Sequence, residues 1–103
     1  MLFRSFSASP KGQIKVDAGA KTALVKQGGS LLPSGIVGVE NEFICGDPVS
    51  IVDAKGVELA RGITNYSSSD IEKIKGAQSS AIEQLLGRKE YDAVVYRSNL
   101  VLV

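Results

Sequence analysis

The chain has no histidine, no tryptophan and one cysteine among its 103 residues. Without histidine it lacks the commonest general base and metal ligand at neutral pH. Its one sulfur, in Cys45, can form neither an internal disulfide nor a thiolate cage for a metal. A reducing, cytoplasmic setting is the simplest one for such a chain. Apolar runs fall far short of the roughly 20 residues that cross a bilayer, so no membrane partner is expected. Met1 to Ser9 holds Arg4 but no extended apolar core, unlike a signal peptide. Phosphate loops of the G-x-G-x-x-G or G-x-x-x-x-G-K-[ST] type are missing too. No nucleophile–base pair or metal set can be assembled from the residues, so no catalytic residue is assigned.

What remains is a chain of ordinary composition, 44% hydrophobic and 22% charged, which predicts one folded domain and not a disordered segment. Net charge is only +1, but it is polarised. Residues 1–30 carry Arg4, Lys11, Lys15, Lys21 and Lys26 against Asp17 alone, whereas residues 31–60 carry Glu40, Glu42, Asp47, Asp53 and Glu58 against Lys55 alone. A basic face around the first helix is expected, without the strongly basic balance of a dedicated nucleic-acid binder.

Residues 26–53 set the architecture. Gly28, Gly29, Gly35, Gly38 and Gly46, with Pro33 and Pro48, rule out one long helix and predict short, sharply turned strands. Residues 1–12 are serine-rich and read as a linker; residues 13–103 form the domain. Ile14 and Val16 alternate with Lys15 and Asp17, as in a half-buried strand. Asp17 can cap a helix from Ala18 to Gln27, stopped by Gly28. Further strands are expected at Ile36–Val39, Phe43–Cys45, 49–52 and 57–63, with Asn41 in a turn of positive φ and Asp53-Ala54-Lys55-Gly56 as a hairpin. Ser69–Glu72 and Ser80–Glu83 read as capping boxes of two short helices ending near Gly76 and Gly87. Ala93–Tyr96 and Leu100–Val103 read as two last strands joined by Arg97-Ser98-Asn99. The expected core is Ile14, Val16, Leu24, Ile36, Val49, Ile51, Leu59, Ile63, Ile82 and Leu85. Cys45 reads as a buried structural thiol, and Tyr66 and Tyr96 as core rings with their hydroxyls at the surface. Asp47, Asp53 and Glu58 read as turn-capping carboxylates. The predicted class is mainly β with short helices (α+β), about six strands and three helices in a small closed or nearly closed barrel.

The segments VDAGAKTALVKQGGSLLPSGI (16–36), EFICGDPVSIVD (42–53) and ELARGITNYSS (58–68) resemble a PUA domain, the RNA-binding module named after pseudouridine synthases and archaeosine transglycosylases. Ser30-Leu31-Leu32-Pro33, Asn65-Tyr66-Ser67-Ser68, Ile74-Lys75-Gly76 and Arg97-Ser98-Asn99-Leu100 resemble the branch found at the C-terminus of glutamate 5-kinases. Order and spacing of the fragments, across about residues 13–103, make the likeness specific. Asn41 departs from it, standing where the family usually has glycine. The resemblance implies a PUA-like mixed-strand pseudo-barrel without chemistry of its own. It implies as partner the amino-acid-kinase domain of a parent chain, which would hold ATP and Mg, and it leaves room for a homo-oligomer of that parent. It also implies a site for structured RNA on the first helix and the loop after it: Lys21, Lys26, Gly28, Gly29 and Ser30; Arg97 of the last hairpin is a separate candidate for phosphate contact, a solvated hairpin arginine being the default. Small residues there would let a phosphate approach backbone N–H groups, and the lysines would add charge. The helix-ending role of the two glycines is the competing reading.

Overall fold

The computed structural model describes residues 9–103. Most of the expected linker therefore lies outside the described residues. Its end is already tied down, because the Lys11 N–H donates to the Pro48 carbonyl at 2.8 Å. Five strands follow: β1 (Gly12–Val16), β2 (Ile36–Glu40), β3 (Pro48–Val52), β4 (Glu58–Ile63) and β5 (Leu100–Leu102). Three short helices complete the chain: α1 (Ala18–Val25), α2 (Ser68–Ile74) and α3 (Ile82–Leu86). The sheet runs β2-β1-β3-β4-β5. Only β1 and β3 pair in parallel, so the sheet is mixed, as expected.

Register explains the core. Ile14 stands opposite Val39 on one side and Ile51 on the other, Ile51 opposite Ala60, and Ala60 opposite Leu102. This row of apolar side chains faces the helices, because strand side chains alternate between faces. Leu24 of α1, Ile71 and Ile74 of α2 and Ile82 of α3 close over it, all fully buried. The opposite face carries Gln13, Ser50 and Arg61 in one row, and Glu58 is clamped there by Arg61 and by the Ser50 hydroxyl at 2.7 Å each. Glu58 is thus an ion-pair partner on a strand, not a turn cap.

Several expectations need correction. The segment 43–45 is not a strand. Phe43 is buried, but the chain then turns outward and leaves Ile44 and Cys45 exposed. Cys45 is therefore not a core thiol. Val57 is exposed and precedes β4, because a register shift at Ile51/Val52 pairs Val52 with Glu58. Ile63 is only half-buried, and Leu85 is exposed because α3 turns Ile82 and Leu86, four residues apart, toward the core and Leu85 away from it. Helix α1 ends at Val25, two residues early. The cap of α2 is Ser67, whose hydroxyl accepts the Asp70 N–H at 3.2 Å. The Ser67-Ser68-Ser69 run offers two capping registers. Ser68 decides between them, because its buried hydroxyl holds both backbone groups of Phe43. Helix α3 lacks a side-chain cap and grows out of a 3-10 turn over Ser79–Ala81.

Residues 93–95 are fully buried, yet they form no strand. They make one isolated bridge, Leu31 to Val95, and run on into a 3-10 turn over Arg97–Asn99. Gly62 makes this approach possible: a Cβ there would lie 2.7 Å from Val95 Cγ1 and 2.8 Å from the Asn99 carbonyl oxygen. Tyr66 is buried to its hydroxyl, which donates to the Tyr91 carbonyl and accepts the Tyr91 N–H at 3.0 Å. Its ring meets Tyr91 edge-on at 6.1 Å, and Tyr91 meets Tyr96 at 6.2 Å.

Ile51 has no exposed surface and sits at the centre of the apolar row. Ile51→Ala is expected to lower unfolding stability by about 2–5 kcal/mol. Leu85→Ala, on the exposed side of α3, is expected to change it by less than about 1 kcal/mol. Paired denaturant titrations check both. Similar costs at the two positions would show that the inward face has been misassigned.

Candidate nucleic-acid interface

Helix α1 lies in the connection between β1 and β2 and starts two residues after β1 ends. At its start the Asp17 carboxylate accepts the Ala20 N–H at 2.8 Å, the expected N-cap. Its C-terminal end is where five of the six candidate residues gather. Lys26 is exposed and donates its N–H to the Thr22 carbonyl. Gly28 adopts φ +65°, and nothing stands within 4 Å of where a Cβ would be, so the turn needs glycine for its backbone and leaves open space beside it. The Gly29 N–H reaches back 2.9 Å to the Ala23 carbonyl. That amide is committed to ending the helix and is not offered to a ligand.

Ser30 and Arg97 meet here from 67 residues apart: the Ser30 hydroxyl accepts the Arg97 backbone N–H at 2.8 Å. The Arg97 guanidinium donates to the Leu24 carbonyl at 3.4 Å, near the C-terminal end of α1, where a cation is electrostatically favoured. Arg97 thus belongs to the helix end and not to a projecting hairpin. The carbonyl accounts for only one of its five N–H donors.

Lys21 does not join this group. Its ammonium lies 3.4 Å from Asp53 Oδ2, toward the β3–β4 turn. Asp53 is the hub of that turn, its Oδ1 accepting the Lys55 and Val57 N–H groups at 2.9 and 3.0 Å. The Val57 hydrogen bond is the main cause holding the Asp53 carboxyl below its ordinary range; burial opposes it, while Lys55 and Lys21 assist. The opposite polarity of Lys21 is thus partly neutralised where it stands. Lys55, on the same turn, adds a second cation beside this pair, outside the set of residues expected to bind RNA.

Between α1 and the residues leading into β2 lies a groove of about 260 Å³, bordered by Ala20, Ala23, Ser30, Leu32, Ser34 and Gly35. Leu32, 45% exposed, is its large apolar side chain. The sequence held a signal for it, because strand-like alternation buries Leu31 and must turn Leu32 outward. The α1 end and this groove meet at Ser30, which sets Lys26 and Arg97 near the exposed Leu32, with Asp17 also lining the groove. Among the described residues no group of three or more Cys, Asp or Glu could hold a metal ion. No helix there is long and apolar enough to cross a membrane.

Comparison with known proteins adds the following. A family model described as the PUA domain matches residues 12–86. Among curated proteins, the chain is 54% identical over 99 residues to a glutamate 5-kinase of Syntrophus aciditrophicus and 55% identical over 97 residues to one of Dictyoglomus turgidum. These matches cover 96% and 94% of this chain, but the chain spans about a quarter of each relative's length, 26% in both cases. Among solved structures, a PUA domain of Aeropyrum pernix K1 in a tartrate complex superposes with a TM-score of 0.61 at 29% identity, covering 84% of this chain and 41% of that one. A chain of the archaeal box H/ACA sRNP Nop10–Cbf5 complex superposes at 0.60 over 89% of this chain and 25% of that one; at 23% identity it speaks for the fold alone.

The Asp53 carboxyl generates a pH prediction. Its folded pKa lies below the ordinary 3.8, so its contribution to stability is fully present above that value and is lost as pH falls through the folded pKa. Asp53→Asn is expected to lower the melting temperature at neutral pH, with the gap to the unsubstituted chain closing as pH drops below about 4. Thermal melts from pH 7 to pH 2 check this; a gap that stays constant would remove Asp53 from the acid-sensitive set.

Proposed function

The chain belongs to the PUA-domain family, and from that membership we propose that it is the accessory, non-catalytic PUA domain of a glutamate 5-kinase. The parent would phosphorylate glutamate with ATP at the start of proline synthesis, in the cytoplasm. ATP and Mg would bind the remaining part of that parent, the amino-acid-kinase domain, and this domain would adjust activity or assembly. One observation carries the reading: identity above 50% extends over nearly the whole chain to several glutamate 5-kinases, while covering only about a quarter of each. Two things support a non-catalytic part. The chain has no histidine, and the carboxylates singled out in the sequence are committed to turns or ion pairs: Asp47 to the Ile44 N–H, Asp53 to its hairpin and Glu58 to Arg61.

A second reading, an RNA-binding module, is favoured by the grouping of Lys26, Gly28, Ser30 and Arg97 at one helix end beside an open groove. Contacts there would go mostly to phosphate, so affinity would fall steeply with salt and depend weakly on sequence.

Two measurements separate the readings. Under the accessory reading, the gene carries an amino-acid-kinase segment in the same reading frame, and the purified chain forms no glutamyl phosphate above a contaminant control. An in-frame partner of another kind would overturn it. Titration of structured tRNA at two salt concentrations, followed by backbone amide signals, tests the second. Shifts confined to residues 18–31 and 97 that vanish at higher salt support RNA binding. The absence of shifts at low salt rules it out.

A further inference from the structure

The loop between β2 and β3, residues 41–47, departs most from expectation. It exposes a large apolar side chain, yet its backbone is held at Phe43, Ile44, Gly46 and Asp47. Phe43 anchors it in the core, with its N–H and carbonyl on the Ser68 hydroxyl and its carbonyl also on the Ser68 N–H. The Ile44 N–H donates to Asp47 Oδ2 at 2.9 Å, and the Asp47 N–H returns to the Ile44 carbonyl at 3.0 Å. Gly46 and Asp47 exchange backbone hydrogen bonds with Thr64. From this braced frame Ile44 stands 67% exposed. A rigid loop that presents an isoleucine to water has already met the ordering cost that a binding surface would otherwise incur.

Beside the loop lies a groove of about 790 Å³ reaching to the start of α2. Val39, Phe43 and Ile44 form its apolar side, and Glu42, Asp47 and Glu72 stand on its rim. Among the described residues only Glu72 has a cation within 4 Å, Lys75 at 2.6 Å. An apolar centre with excess negative charge around it fits a segment with the inverse pattern, an apolar side chain flanked by lysine or arginine.

We propose that this groove docks a basic, apolar-tipped segment of the longer polypeptide in which the domain resides. This rests on the reading of the chain as one part of a kinase about four times its length. Most of such a chain lies outside this domain and is tethered beside it, so its effective concentration at the groove is high. A second copy of the domain fits less well. Groove and basic helix end are different surfaces, so copies would join head to tail into rings or open filaments.

Cys45, next to Ile44 and exposed, is a built-in reporter. The experiment compares its rate of maleimide modification in the full-length parent and in the isolated 103-residue chain, quantified by mass spectrometry of the Cys45 peptide. Docking that covers the loop in about 90% of molecules slows modification about tenfold in the parent. Ile44→Asp, and separately Glu42→Lys with Asp47 left in place, are expected to restore the isolated-domain rate without changing the thermal midpoint of the domain. Equal rates in parent and isolated chain would overturn the proposal and leave the kinase reading intact. Protection that grows with protein concentration would assign the groove to a second copy and overturn the tethered segment. An open reading frame without a kinase segment would instead overturn the reading beneath it.

Discussion

The parallel pairing of β1 with β3 is the contact on which the rest of the structure depends. It forces β1 to be bonded on both edges, antiparallel to β2 and parallel to β3. Two antiparallel neighbours could have been joined by a tight hairpin. Although β1 and β2 are such neighbours, their connection carries α1, the glycine turn and Leu31-Leu32-Pro33 across the apolar face. The same pairing places Ile14 against Ile51, which gives Leu24 and Ile82 a shared surface to cover.

Much of this was legible where local chemistry and burial agree. Asp17 before an alanine-rich stretch announced α1, and alternation in 13–16 and 49–52 announced β1 and β3. Legibility failed where an apolar residue served the outside or a buried segment made no ladder. Ala93-Val94-Val95 is a continuous apolar run, and periodicity cannot separate a buried strand from a buried extended segment. Its backbone is satisfied by Leu31 and Asn65 and not by a neighbouring strand, a fact set by the rest of the fold. Ile44-Cys45 looked like strand interior because isoleucine and cysteine are usually buried. The bonds of Asp47, Thr64 and Ser68 to the loop backbone turn that pair outward.

The candidate site was legible in part and for the same reason. Gly28 and Gly29 marked a helix end, and the two lysines marked charge. Which lysine stays with the helix end could not be read, because that depends on where Asp53 falls. Nor could the meeting of Ser30 with Arg97, since a hydroxyl and an amide 67 residues apart leave no pattern in a single chain. The result is a smaller, more local positive site than composition suggested. Its charge lies on Lys26 and Arg97, and that of Lys21 is spent in stiffening a turn.

The tyrosine cluster has an optical consequence. The chain has three tyrosines and no tryptophan, and all three tyrosines lie in the one edge-to-edge series of Tyr66, Tyr91 and Tyr96. Tyrosine fluorescence and its near-ultraviolet dichroism therefore arise from a single spot, the seam where residues 91–96 lie against the end of β4. The sheet itself is spectroscopically dark at these wavelengths. A tyrosine signal lost ahead of the far-ultraviolet signal would report that the C-terminal seam opens before the strands part, with no label introduced.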